Sequence, residues 1–501
     1  MTDGNFFAAL RAAYGAAHSK PFLTLPDGRR HSYGDIDAIS AKAAGALRAL
    51  GAAPGDRVVV QVEKSPQNVA LYLGAMRAGL VYVPLNTAYT TEEIGYFLGD
   101  AEPKVFICAP ENEAALAPAA RKQGVDHILT LGQDSNGAFA DAMKAAAPFD
   151  DMTPRAKDDL AVILYTSGTT GRSKGAMITH ENLASNAATL NALWGFSSQD
   201  VLLHALPIFH IHGLFVALHT AMLSACEILF LPKFDVAEIR RRLPRASVMM
   251  GVPTFYYRLL AEKDFGRKEC AHMRLFVSGS APLTAETFNA FKARTGRAIL
   301  ERYGMSEAGM IASNPLNGDR IAGTVGFALP GVSVRINGDR NAPGEVEVKG
   351  PNICAGYWNK PDKTAEAFTG DGWFRTGDVG TLDGEGRLTL VGREKDLIIA
   401  GGFNIYPIEI EQVLDTVPGV RESAVVGVPH PDMGEGVIAI LAAAEDAPDD
   451  DTLAAALSPL AKFKRPRKFF RVDALPRNTM GKVQKQALRE TYKDAFKDGS
   501  R

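Results

Sequence analysis

Two hydrophobic periods alternate along this chain. Residues 41–50 and 67–79 carry alanine, leucine and other apolar residues at helical spacing, whereas 57–62 and 81–85 are short β-type runs. Strand patterns separated by Ala-rich helical ones predict an α/β fold with parallel strands through the first three quarters. The run 160–164 reads as another buried strand. The most apolar stretch, 214–232, is interrupted by His219 and Glu227, which predicts a core helix plus a strand rather than a membrane span.

The texture changes after about Ala342. Residues 344–349 (Gly-Glu-Val-Glu-Val-Lys) alternate as a half-solvated antiparallel strand does. Asp383-Gly384-Glu385-Gly386 is a turn between two more strand-like runs. Arg393-Glu394-Lys395-Asp396 is a charged joint, followed by a loop at Gly401-Gly402. Beyond it lies a small α+β pattern: helix near 407–416, strand near 423–427, helix near 451–460. Two domains are expected, 1–394 and 395–501, the alternative being a loop within one domain.

With 501 residues, 46% hydrophobic and 22% charged, the composition is that of a globular protein. A net charge of −2 gives no reason to expect nucleic acid or an anionic membrane as partner. No two of Cys108, Cys226, Cys270 and Cys354 have metal-ligand spacing, so free, mostly buried thiols are expected. The N-terminus lacks a basic segment followed by an apolar core, and a cytoplasmic protein is expected.

The first candidate site is Tyr165-Thr166-Ser167-Gly168-Thr169-Thr170-Gly171-Arg172-Ser173-Lys174-Gly175. Small and hydroxyl residues after a buried strand expose backbone N–H groups beside a lysine, which suits a polyphosphate. The Walker A spacing is absent, and composition alone also allows a linker. His210 and His212 stand at i, i+2, but no third ligand of matching spacing supports a metal.

Six ordered motifs then carry a resemblance over nearly the whole chain: the loop above; Glu301-Arg302-Tyr303-Gly304-Met305-Ser306-Glu307; Gly356-Tyr357 with Pro361 following; Thr376-Gly377-Asp378; Gly392-Arg393-Glu394-Lys395-Asp396; and Pro476-Arg477-Asn478-Thr479-Met480-Gly481-Lys482. The chain resembles the adenylate-forming superfamily of acyl-CoA synthetases, luciferases and adenylation domains. The resemblance implies a large N-terminal domain of stacked α/β subdomains with a β-rich portion, and a small mobile α+β C-terminal domain. It implies ATP, Mg²⁺ and coenzyme A as cofactors or substrates, a small carboxylic acid as partner, and a monomer or homodimer.

Carried over by motif, Thr166, Ser167, Gly168, Thr169, Thr170, Gly171 and Lys174 would hold the ATP phosphates. Glu307 would bind Mg²⁺ with Thr166, and Ser306 would touch the α-phosphate. Tyr303 would face adenine, walled by Gly279, Ser280 and Ala281, with Glu301, Arg302 and Gly304 in the same ATP site. Asp378 would accept from the ribose hydroxyls and Arg393 would donate to them. Asp378 in isolation also admits a turn cap, and Lys482 without the motif reads as a solvated turn residue. The resemblance makes Lys482 the catalytic lysine, His210 a catalytic residue beside the acyl pocket, Lys395 the hinge, and Gly401, Gly402 and Phe403 part of a CoA tunnel. The basic run 462–485 would meet CoA phosphates or form a solvated face.

The closest likeness is to malonyl-CoA synthetases, through residues 210–215, 251–258 and 278–283. An acid pocket containing Arg258 implies a second carboxylate on the substrate, held with Ser280 beside His210, Met305 and Met310. The competing reading pairs Arg258 with Glu262 one helical turn on. The chain departs from that likeness after Glu307. Malonate enzymes carry Thr and Asn side chains in this stretch, where Ala308, Gly309, Ile311 and Ala312 stand here, which leaves room for methylmalonate or another short acid. The expected reaction is acyl-adenylate formation with pyrophosphate release, then thioester formation with CoA. Alternatives are a synthetase for aryl or medium-chain acids, an amino-acid adenylation module, and a nucleotide-binding protein without turnover.

Overall fold

The computed structural model describes residues 4–166, 173–338, 342–443, 447–478 and 482–497. Among these, the first third builds a sheet in the order His127–Thr130, Val105–Cys108, Arg57–Gln61, Val81–Pro84, Leu160–Thr166 and Lys174–Thr179. Five strands run parallel, as helical crossovers require. The sixth turns back antiparallel on its predecessor, with Thr166 paired to Lys174.

A second, larger sheet changes character part-way across. Strands Glu227–Phe230, Val201–His204, Val248–Gly251, Leu275–Ser278 and Ile299–Met305 are parallel neighbours. Ile299–Met305 then pairs antiparallel with Gly309–Ser313, and Gly326–Ala328, Arg387–Arg393, Phe374–Leu382, Gly344–Lys349 and Ser333–Asn337 continue the antiparallel half. The 301–307 motif therefore runs along the seam between the halves and off its end. The expected half-solvated strand 344–349 is modified at Glu347, which is buried because Arg335 of the neighbouring strand closes on it at 2.6 Å.

Helices Phe6–Tyr14, Tyr33–Ala49, Pro66–Arg77 and His180–Leu193 pack with the two sheets in one apolar layer. Leu47, Leu71 and Leu183 meet Val162 and Leu164 of the first sheet and Leu202 and Val277 of the second. Each such side chain contributes about 1.5–3 kcal/mol on burial. Capping boxes at Ser32/Asp35 and Thr179/Asn182 start two of these helices. Arg77 is a cation within this layer, fully buried, with Asp37 at 2.6 Å and the Phe149 and Asp150 carbonyls at 3.1 and 3.0 Å. Arg77→Ala leaves Asp37 to the more exposed Arg11 and is expected to cost about 3–5 kcal/mol. The check is the urea midpoint at unchanged slope. A loss below about 1 kcal/mol would show the pair to be dispensable.

After residue 397 a separate sheet forms from Ile398–Ala400, Phe403–Ile405, Val420–His430, Gly434–Ala443 and Lys468–Val472. Ile410, Leu414 and Leu453 cover one face, and Leu475, Leu488 and Phe496 the other. Gly401 and Gly402, expected as a loop, are the two-residue turn of a hairpin. Both have positive φ, +57° and +82°, as a turn matching strand twist requires. Among the described residues no helix is long and apolar enough to cross a membrane.

Candidate active site

The hairpin expected to hold phosphates stands at the edge of the first sheet. Ser167, Gly168, Thr169, Thr170 and Gly171 lie outside the described residues. At the hairpin's mouth the Thr166 hydroxyl donates to the Lys174 carbonyl at 3.4 Å, and Tyr96 donates to the Ser173 carbonyl at 2.7 Å. The Lys174 ammonium stands 4.2 Å above the Tyr357 ring, and the Tyr357 hydroxyl donates to Glu307 at 3.2 Å. Tyr357 arrives there because residues 355–358 pair with strand Lys174–Thr179. It thus ties the phosphate-side lysine to the carboxylate expected to hold a metal, a link the motif Gly356-Tyr357 marked without revealing. No cluster of three or more His, Cys, Asp or Glu groups that would cage a cation occurs among the described residues. One buried carboxylate, Glu307, suits Mg²⁺ that keeps waters and takes its remaining ligands from substrate phosphates.

Of the residues expected at the ribose, Asp378 and Arg393 face each other across adjacent strands. Arg393 Nε meets one Asp378 oxygen at 2.7 Å, and the Tyr303 hydroxyl donates to the other. Each oxygen keeps a free lone pair, so the carboxylate is oriented for two hydroxyl donors. Tyr303 is buried. Gly304 is packed so that a Cβ would sit 2.3 Å from the Gly309 carbonyl.

The acid side gathers donors. Strand Val201–His204 leads into a loop carrying His210, then into a π-helix, His212–Ala217, that periodicity did not reveal. The His212 N–H donates to His210 Nδ1 at 3.3 Å, so Nε2 carries the proton of the neutral ring. Burial, then the charges of Lys482 and Arg302, push the His210 pKa down to about 3. Ser280 holds a left-handed backbone, φ +71°, in contact with His212 Nδ1 at 3.4 Å. A strained non-glycine of this kind is concentrated at functional sites.

Arg302, expected with ATP, is the buried cation of this region. Its guanidinium lies against Gly279, where a Cβ would meet Cζ at 2.3 Å. Nε and Nη2 are buried without a hydrogen-bond partner, and burial pushes its pKa down to about 9. Its charge acts on His210, His212 and Tyr256. Neighbouring Glu301 is turned away, accepting from the Leu283 N–H at 3.0 Å, and burial raises its pKa to about 8. Met310 is buried, and Met305 and Ser306 are half-buried.

Arg258, in contrast, is on the exposed side of helix Pro253–Ala261, lining a surface cleft with Phe234, Asp235, Arg240 and Glu262. It does not pair with Glu262, whose carboxylate goes to Arg240 at 3.3 Å. The acid-pocket expectation for Arg258 does not match its place; of the competing reading, the helix-surface position holds and the pairing with Glu262 does not. A small cavity of about 20 Å³ lies behind Ser306 and Gly309, lined also by Asn186, Ala187, Leu190, Ile211 and Phe215.

The C-terminal part contributes Lys482. Asn478 clamps its loop, with Asn478 Oδ1 accepting from the Lys482 N–H at 3.0 Å. The strongest influence on its pKa is desolvation, which lowers it. Arg393 and Lys395 lower it too, while Asp378 and Glu307 oppose. All four lie on the large domain's rim or the joint, so Lys482 faces the nucleotide side. Solvent still reaches the residue and screens these influences. Lys395 sits in a single 3₁₀ turn, Glu394–Asp396. Phe403 is exposed and stacks on Phe463 at 4.4 Å, away from this gathering.

The class is that of the AMP-binding enzymes. The chain belongs to that family: residues 10–358 match the AMP-binding enzyme model and 409–482 its C-terminal domain. It is 50% identical to MatB of Rhodopseudomonas palustris, covering 99% of this chain and 100% of that one. The TM-score is 0.96 for the ATP-bound crystal structure and 0.85 for the apo form. It is also 32% identical to a malonate–CoA ligase of Arabidopsis thaliana (98% of this chain, 90% of that) and 35% identical to a sulfoacetate–CoA ligase of Cupriavidus necator (94% of each).

Proposed function

We propose that this chain is an ATP-dependent acid–thiol ligase that forms malonyl-CoA or methylmalonyl-CoA through an acyl-adenylate, releasing AMP and pyrophosphate. The observation that carries the dicarboxylate choice is Arg302: a buried guanidinium against Gly279 with two unpartnered nitrogens, Nε and Nη2, whose charge reaches His210 and His212. Glu301 acts on this cation through space without forming an ion pair with it; a buried cation so placed is costly, and a second carboxylate on the substrate would offset it with a charge-assisted pair. The named substrates of two relatives, malonate and sulfoacetate, each carry a second anion.

In the first half-reaction a substrate carboxylate oxygen attacks the α-phosphate and pyrophosphate leaves. Arg302 and Ser280 hold the far anion. His210, neutral, presents Nε2–H toward the acid, and Asp378 and Arg393 hold the ribose. Lys482 offsets the charge that builds as one anion attacks another. Mg²⁺, held by Glu307 and Thr166 with the phosphates, would neutralise charge on the phosphate oxygens. In the second half-reaction residues 395–501 rotate about Lys395 and withdraw Lys482. The hairpin carrying Gly401, Gly402 and Phe403 then lines the thiol's approach. The higher similarity to an ATP-bound relative supports reading the present arrangement as the adenylating one. The protein acts in the cytoplasm, as a monomer or homodimer.

The cavity behind Gly309 is of the size that holds a single water, which also suits one methyl group, so methylmalonate is expected to be used within about tenfold of malonate. A panel of malonate, methylmalonate, succinate, propionate and an aryl acid, read by pyrophosphate release with ATP and then by thioester formation with CoA, tests the reading. Filling the cavity by Ala187→Val is expected to lower kcat/KM for methylmalonate about tenfold while sparing malonate. Preference for propionate or the aryl acid would overturn the dicarboxylate reading.

A further inference from the structure

We propose that Lys64 and His204 are positioning residues that hold the His210 loop at both its feet. The inference rests on the place given to His210 in the proposed reaction. Lys64 lies between strand Arg57–Gln61 and helix Pro66–Arg77 of the first sheet, and its side chain reaches into the second. It is buried, with no carboxylate as partner among the described residues. Its ammonium meets three acceptors instead: His204 Nδ1 at 2.8 Å, the His204 carbonyl at 3.0 Å and the Leu206 carbonyl at 2.9 Å, above the Phe230 ring at 4.4 Å. The other ring nitrogen of His204, Nε2, stands 2.9 Å from the Gly213 carbonyl.

These contacts determine where the protons are. A carbonyl only accepts, so His204 Nε2 must carry hydrogen. Nδ1 of the neutral ring is then an acceptor, and Lys64 must donate all three of its hydrogens. The group is therefore an ammonium, although burial alone pulls its pKa down. Its bonds fall on the last strand residue before the loop, on Leu206 two residues later, and, through the imidazole, on Gly213 in the first turn of the π-helix. One cation thus fixes residues 205–212 from both ends. Gly213 must be glycine for this closure, since a Cβ there would come 2.0 Å from the Pro207 carbonyl. Without the clamp the backbone that sets the His212 N–H to His210 Nδ1 bond is free to shift. The proton on His210 Nε2 then loses its fixed direction. A buried cation kept at such desolvation cost, in a place where an apolar side chain would pack, fits a site retained for positioning rather than stability.

The test uses the full-length enzyme and ATP–pyrophosphate exchange with malonate. Lys64→Met and His204→Gln are each expected to lower kcat about 10–30-fold, with KM for ATP within twofold. The double variant should be no worse than the stronger single one, because both break the same clamp. Nitrogen-15 spectra of the histidines should show His210 as the Nε2–H tautomer in the parent enzyme and lose that signature in both variants. Should Lys64→Met fail to fold, His204→Gln, which keeps the ammonium and its two carbonyl acceptors, decides alone. Unchanged kcat in a folded variant, or a fall in melting temperature with the His210 signature intact, would overturn the proposal. His210→Ala separates this from the reaction itself. If that variant exchanges at the parent rate, the role given to His210 fails; if it is slow while His204→Gln is not, only the clamp fails.

Discussion

Lys482→Ala is expected to lower adenylate formation by about 10²–10³-fold, the scale of losing one preorganised charge contact to a developing anion. Thioester formation from supplied acyl-adenylate should stay near the parent rate. The split follows from geometry: Lys482 faces Glu307, Asp378 and Arg393 in the present arrangement, whereas the thiol step as proposed uses the rotated one. A pH dependence accompanies it. The ammonium is the active form and its pKa is lowered, first by desolvation and then by Arg393 and Lys395. Adenylation should therefore decline as pH rises through a value below the ordinary lysine range, while the thioester half-reaction lacks that limb. Equal losses in both half-reactions, or none in adenylation, would remove Lys482 from the role.

The class of fold was legible because strand and helix periods differ and because six motifs keep a fixed order. The helix expected at 67–79 is Pro66–Arg77, and the strand expected at 81–85 is Val81–Pro84. Less legible were features that depend on partners distant in sequence. Glu347 looked solvent-facing by alternation, and only the neighbouring strand supplies the Arg335 that buries it. The π-helix at His212–Ala217 has no periodicity signature in six residues. Within the site, Arg258 and Arg302 are both arginines in quoted motifs. Helix position alone does not say which face of Pro253–Ala261 meets the acid, and the structure leaves Arg258 exposed. Strand alternation was the available signal for Arg302. Tyr303 turns to Asp378, so its neighbour must point to the other side of Ile299–Met305, against Gly279.

That reassignment gives the other large effect. Arg302→Met, close in size and without charge, is expected to reduce kcat/KM for malonate about 10²–10³-fold, chiefly through KM, while leaving propionate unchanged or better used. The asymmetry arises because malonate would then bury its far carboxylate with no cation, whereas propionate meets an apolar wall in place of a desolvated guanidinium. Arg302→Lys should restore little, since an ammonium on a flexible stem reproduces neither the fork nor its packing against Gly279. Arg258→Ala, at an exposed position, should change malonate kinetics by no more than about threefold. The acids thus discriminate two sources of anion selectivity: a seat at Arg302 makes the Met substitution selective for dianions, and a seat at the outer cleft makes the Arg258 substitution so. If the Met variant loses propionate and malonate alike, Arg302 supports the nucleotide or the strand rather than the substrate, and the choice of a dicarboxylic acid no longer stands.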